Sequence, residues 1–295
     1  MPPALLANRL RLAIPIHSFF CVLVPNNFFG PTPPLQTVHH PVKKKNLHNR
    51  MVRHCKNADE VRNIMRIQHT GTLGAKSVKL LVYGQAGSGK TSLIKTLPSP
   101  IVLSAEAGLL SIADANVPFI EVNSMDTLRE AYMWLRDSDE GSADTYKTVC
   151  LDSISEVAEV VLAHELKHNK DGRAAYGALN TTMTEMIRAF RDLPNRHVYF
   201  SAKLEKSADE MGKMLFNPSM PGKSLTQSLP YFFDEVLALR VEKDGEGVTQ
   251  RALMCESDGI WLAKDRSGRL GPWASPDLGE VINTIASPAN RETEQ

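Results

Sequence analysis

The chain has 295 residues, an ordinary apolar content of 42% and a net charge of +1, enough to bury a core in one large or two small domains and inconsistent with a disordered or fibrous protein. Eight of the 34 basic residues and none of the 33 acidic ones precede Asp59, so the remainder carries a net charge of −7, which argues against a uniformly basic surface for nucleic acid. The four cysteines, Cys21, Cys55, Cys150 and Cys255, form no Cys-x-x-Cys pair, so neither a zinc knuckle nor a disulfide framework is expected and a reducing cytoplasm fits.

Residues 1–64 read as a poorly structured N-terminal extension, with prolines at Pro31, Pro33 and Pro34 and no lasting amphipathic period. Leu12 to Val24 follows two arginines like a signal-peptide core, but Pro15 and His17 interrupt it. It also falls short of the ~18 apolar residues of a membrane helix, so no membrane span is expected. An organellar transit peptide and an upstream extension before a start at Met51 or Met65 are both compatible with this stretch; the second is preferred.

Residues 65–295 are expected to form one α/β domain. Short apolar strands read at Val78–Tyr83, Ile101–Leu103, Phe119–Val122, Thr148–Leu151 and His197–Phe200. Helices read at Thr91–Leu97, Ser124–Arg136, Ser155–His168 and Ala174–Leu193. This alternation predicts a mainly parallel sheet covered by helices on both faces. Val236–Glu242 and Arg251–Glu256 flank Asp244-Gly245-Glu246-Gly247, the pattern of an antiparallel hairpin near the C-terminal side.

The segment Gly84-Gln85-Ala86-Gly87-Ser88-Gly89-Lys90-Thr91 follows a predicted strand and opens a predicted helix, the context in which Gly-x-x-x-x-Gly-Lys-Thr is a P-loop. Its glycines let backbone N–H groups turn toward phosphates, Lys90 reaches the β- and γ-phosphates, and Thr91 offers a hydroxyl to magnesium. Ser92 completes the set of nucleotide-binding residues. ATP and Mg2+ are therefore the expected ligands, and ATP hydrolysis the expected reaction.

Such a site needs a carboxylate at the end of a neighbouring strand to hold the metal, and Thr148-Val149-Cys150-Leu151-Asp152 supplies one. Asp152 is the expected metal ligand beside Thr91; the alternative is that Asp152 or Ser153 caps the following helix. The attacking water needs a carboxylate too, and Glu106 and Glu156 are the candidates.

The order of these pieces resembles RecA-like P-loop ATPases from about Met65 to Ile285. In detail it is similar to the phage family of such ATPases linked to single-strand annealing and recombination. In that resemblance Ile101-Val102-Leu103-Ser104-Ala105-Glu106 matches the strand that ends in the catalytic glutamate, which favours Glu106 over Glu156. Lys264-Asp265-Arg266 matches the paired cations that reach the nucleotide of an adjacent subunit, which implies a head-to-tail homo-oligomer; read by itself the segment is equally a polar turn. Ser201 and Lys203 stand where a residue senses the γ-phosphate, although the Asn-Gln pair of RecA itself is absent.

Single-stranded DNA is the partner the resemblance implies, with Lys167–Arg173 and Glu205–Pro230 in the places of the DNA-contacting loops; neither loop shows an aromatic stacking platform, and solvated surface is the alternative. A regulatory or assembly ATPase of the KaiC-like sort without DNA, and a helicase motor, are the competing readings. The resemblance places the protein in the cytoplasm, that of the host if phage-encoded. His164-Glu165-Leu166-Lys167-His168 matches the zinc-protease pattern, but no third ligand is signposted.

Overall fold

The computed structural model describes residues 77–106 and 108–287; the expected N-terminal extension, with Cys21 and Cys55, lies outside the described residues. Strands β1 (Lys79–Gly84), β2 (Pro100–Ser104), β3 (Phe119–Glu121), β4 (Thr148–Asp152), β5 (His197–Ala208) and β7 (Glu235–Lys243) form the parallel part of the sheet. In space they run β7-β1-β5-β4-β2-β3, so β5 separates the P-loop strand from the strand ending in Asp152. All point their C-terminal ends the same way, and Gly84, Ser104, Asp152 and Lys203 therefore gather at one edge.

These strands are continuous apolar runs because both faces are covered. One face packs Leu80, Val82, Val102, Cys150, Tyr199, Leu237 and Leu239 against the turn after the P-loop and α5 (Leu278–Ala286). The other carries Leu81, Leu103, Leu151 and Phe200, all fully buried. The remaining long helices are α1 (Met125–Asp137), α2 (Ile154–His168) and α3 (Gly172–Arg191). Tyr132 of α1 meets Phe190 of α3 edge to face at 5.2 Å. Ser124, Ser153, Asp171 and Asp277 cap α1, α2, α3 and α5 through side-chain oxygens.

The expected hairpin is present: β7 pairs with β8 (Thr249–Met254) from Ala238↔Met254 to Lys243↔Thr249. Asp244 and Gly247, the latter at φ +81°, close the turn. The antiparallel edge extends further than expected, since β9 (Lys264–Asp265) adds to β7 and β10 (Trp273–Ala274) to β8.

Three expectations need correction. The helix after the P-loop is a six-residue 3-10 segment, Thr91–Thr96, because Pro98 and Pro100 stop it within two turns. Lys167–Arg173 is not an open loop: α2 runs to His168 and α3 starts at Gly172, leaving three residues between them, with Asp171 capping α3. Glu205–Pro230 is not an open loop either. β5 continues past the sheet and pairs with β6 (Met214–Pro218) from Leu204↔Pro218 to Ala208↔Met214, then a short α4 (Lys223–Ser228) follows. Gly212, at φ +78°, permits the ribbon's turn.

Candidate nucleotide site

Between Gly84 and Thr91 the backbone turns back on itself, with Ser88 N–H donating to Gln85 O at 3.2 Å and Leu93 N–H to Gly89 O at 3.2 Å. Two glycines are required by space and by angle. A Cβ at Gly84 would stand 2.9 Å from Leu239 O, and Gly89 holds φ +104°. Gln85, Ala86 and Gly87 form the exposed crest, whereas Ser88 is buried. Because the segment after the loop is a short 3-10 turn, its macrodipole contributes less than an α-helix would, and the loop N–H groups and Lys90 carry the anion site.

Lys90 Nζ donates to Gly84 O and Gln85 O, both at 3.0 Å. Burial pulls its pKa down, opposed by the carboxylates of Asp152 and Glu106. Those carboxylates therefore share one electrostatic neighbourhood with the lysine. Buried Tyr199 of β5 donates from its hydroxyl to Lys90 O at 2.8 Å, fixing the loop's exit.

The metal-ligand expectations meet in one place. Thr91 Oγ1 donates to Asp152 Oδ2 at 2.7 Å, and Ser201 Oγ donates to Asp152 Oδ1. Asp152 is 5% exposed and Ser201 fully buried, so the carboxylate is held on both oxygens in a dry setting. A hydroxyl and a carboxylate, with phosphate oxygens and waters completing six hard ligands, suit Mg2+. The two readings of Asp152-Ser153 are divided between neighbours: Asp152 faces Thr91, and Ser153 is the cap of α2.

Glu106 follows β2 and accepts a hydrogen bond from Ser153 Oγ at 2.6 Å, one residue from Asp152. Ser104 Oγ donates to Glu106 O at 2.5 Å and holds the strand end. Glu156 is instead ion-paired with Lys203. Lys203 sits level with Gly84 on the neighbouring strand and is among the charges acting on Lys90.

Lys264 and Arg266 do not reach the P-loop of their own chain. Their strand pairs with β7 at Val236↔Lys264 and Glu235↔Asp265, beside Leu81 and Leu80, at the end of β1 away from Gly84. Lys264 Nζ donates to Pro230 O at 2.7 Å and Phe233 O at 2.6 Å, and burial lowers its pKa. Exposed Arg266 pairs with Asp234 at 2.9 Å.

In the zinc-protease pattern the rings of His164 and His168 lie 4.3 Å apart, tilted by 33°, His168 Nδ1 lies 2.7 Å from His164 O, and Glu165 accepts from Asn169 at 3.2 Å. Among the described residues no group of three His, Cys, Asp or Glu side chains is placed to hold a metal ion. No described helix is long and apolar enough to cross a membrane.

Two features of the site escaped sequence reading. The Tyr199 contact spans 109 residues and left no local signal. Arg251 of β8 also reaches the loop, donating from Nε to Ser88 O at 3.0 Å across 163 residues.

No curated protein matches the chain. Residues 76–267, more than half of the chain, match the family described as AAA domain. A P-loop strand, a mostly parallel sheet and a hydrogen bond from Thr91 to the buried Asp152 fit that match, and the chain belongs to the AAA domain family of P-loop ATPases.

Proposed function

We propose that this domain hydrolyses ATP with magnesium and couples turnover to binding of single-stranded DNA in recombination or annealing, as a RecA-like, head-to-tail homo-oligomer in the cytoplasm. Lys90 holds the β- and γ-phosphates, and Thr91 and Asp152 hold the metal, which when bound draws charge from the phosphate oxygens. Glu106 orients the attacking water and takes its proton, with Ser153 holding the carboxylate.

The observation that carries the DNA reading is the single strand β5. Ser201 bonds Asp152, Lys203 pairs with Glu156, and the same strand continues into the β5–β6 ribbon with exposed Lys206 and Lys213. A change at the metal carboxylate therefore has a continuous, hydrogen-bonded route to a ribbon on which exposed Lys206 and Lys213 stand among Glu205, Asp209 and Glu210. Phe216 of that ribbon stacks on Trp261 at 4.3 Å, with Arg240 4.4 Å from the other ring, so the ribbon is firmly seated.

Head-to-tail assembly is supported by position: Arg266 is exposed at the end of β1 away from its own phosphate loop, so any action on a nucleotide requires a neighbouring subunit's site. Phosphate release with and without single-stranded DNA, beside Lys90→Ala as the blank, tests the reading. Stimulation that Lys206→Glu with Lys213→Glu abolishes is expected. Turnover indifferent to DNA would favour the KaiC-like regulatory ATPase, which the net charge of −7 from Asp59 onward also suits. DNA-driven strand unwinding would favour the helicase motor.

A further inference from the structure

The hairpin β7–β8 rises beside the P-loop. Ala238 is level with Tyr83, the residue before Gly84, and Arg251 lies opposite Val241, three positions further along β7. That distance is about 10 Å, enough to bring an arginine over the loop. Arg251 Nε is tied to Ser88 O at 3.0 Å. A Cβ at Gly89 would lie 3.4 Å from Arg251 Nε and 3.7 Å from its Cδ, so the side chain crosses the last glycine of the loop.

The guanidinium is thus anchored on one side only. Arg251 is exposed, and among the described residues its two terminal nitrogens make no hydrogen bond or ion pair. The hairpin that carries it is anchored two residues away, where the paired Leu239 and Leu253 are buried in the core. A planar cation held in place with its outer donors open is preorganised to bind oxyanions.

Its flank matters. Asp152, Ser201, Lys203 and Glu106 all approach from the β5, β4 and β2 side of β1, where the metal and the attacking water belong. Arg251 approaches from the β7 and β8 side, and Lys90 takes its electrostatic influences from Asp152, Glu106 and Lys203.

Building on the reading of the P-loop as a nucleotide site, we infer that Arg251, donated in cis by β8, is a second cation of that site and contacts the diphosphate portion shared by ADP and ATP. It sets nucleotide affinity and leaves the hydrolytic step to Lys90 and Glu106.

Titration of the full chain with fluorescent mant-ADP and mant-ATP tests this. Arg251→Gln is expected to weaken both ligands about tenfold, the size of a lost charge-assisted contact. Arg251→Lys keeps the positive charge and is expected to recover part of the loss; affinity as low as that of Arg251→Gln would overturn a charge-based contact with the diphosphate. Affinities within about twofold of wild type would overturn the inference. So would a loss confined to mant-ATP, which would place the guanidinium at the γ-phosphate instead. Wild-type protein that binds neither ligand would overturn the nucleotide site as well, a failure distinct from that of Arg251 alone.

Discussion

On one flank of β1 lie β5, β4, β2 and β3, all parallel; on the other, β7 is parallel to β1, but every further pairing is antiparallel, β8 and β9 on β7 and β10 on β8. The parallel flank presents Asp152, Ser201 and Glu106 at the ends of buried strands, joined by hydrogen bonds to Thr91 and Ser153. The antiparallel flank offers long side chains from more exposed strands: Arg251 on the loop, Arg240 on Trp261, and Arg266 on Asp234. The contrast assigns them different work. Short side chains on a rigid, dry edge suit metal and water chemistry, whereas arginines on an open hairpin suit contact with anions and partners.

The largest effect is expected on the line between the flanks. Lys90→Ala removes the cation both sides converge on and should lower turnover by a factor of about a hundred or more, with nucleotide affinity falling as well; an unchanged rate in a phosphate-release assay would break the comparison outright. Glu106→Gln probes the parallel flank alone. Turnover should drop by about a hundredfold or more while mant-ATP still binds, and Glu156→Gln should cost much less because Glu156 is already paired with Lys203. A reversed order would transfer the water-orienting role to Glu156.

Mixing Lys90→Ala with Arg266→Ala subunits tests whether the antiparallel flank acts across an interface. Partial recovery of turnover is expected, since mixed junctions restore an intact pair of faces; no recovery would leave Arg266 as the partner of Asp234 only. Ser201→Ala removes one of two bonds that hold Asp152 and should reduce turnover about tenfold, with a higher magnesium requirement. Unchanged magnesium dependence would disconnect β5 from the metal.

The smallest expected effect concerns stability on the antiparallel flank. Glu235 is 1% exposed and lies opposite Asp265; burial and that carboxylate push its pKa up from 4.5 to about 8. The folded chain then keeps a proton that the unfolded chain loses above pH 4.5, so this group costs progressively more stability as pH rises from 4.5 to 8. Glu235→Gln should accordingly raise the thermal midpoint, slightly at pH 5 and more at pH 8. A gain that is constant over this range would show that Glu235 titrates normally.

The parallel sheet, the P-loop and the strand end at Asp152 were legible because each is written in a short stretch: an apolar run, then glycines or a carboxylate at its end. The division of Asp152-Ser153 between metal site and cap was visible as two alternatives, and only the side-chain directions resolved it. The loops assigned to DNA were misread because a polar ribbon of alternating residues has little apolar signal, and β6 becomes a strand only by pairing with β5. Lys264 and Arg266 were read as paired cations for an adjacent subunit's nucleotide, with a polar turn as the alternative, and their distance from the local phosphate loop depends on the register of β9 on β7.

By itself, then, the sequence determined that a phosphate loop joins a strand to a helical turn and that a carboxylate ends a neighbouring strand, because these follow from local periodicity and from what glycine, lysine and threonine can do. Only the tertiary structure decided that Ser201 holds Asp152, that Tyr199 holds Lys90 O, and that Arg251 lies across Gly89. These contacts join residues 49 to 163 positions apart, and strand order and register, rather than any local pattern, set which of them meet.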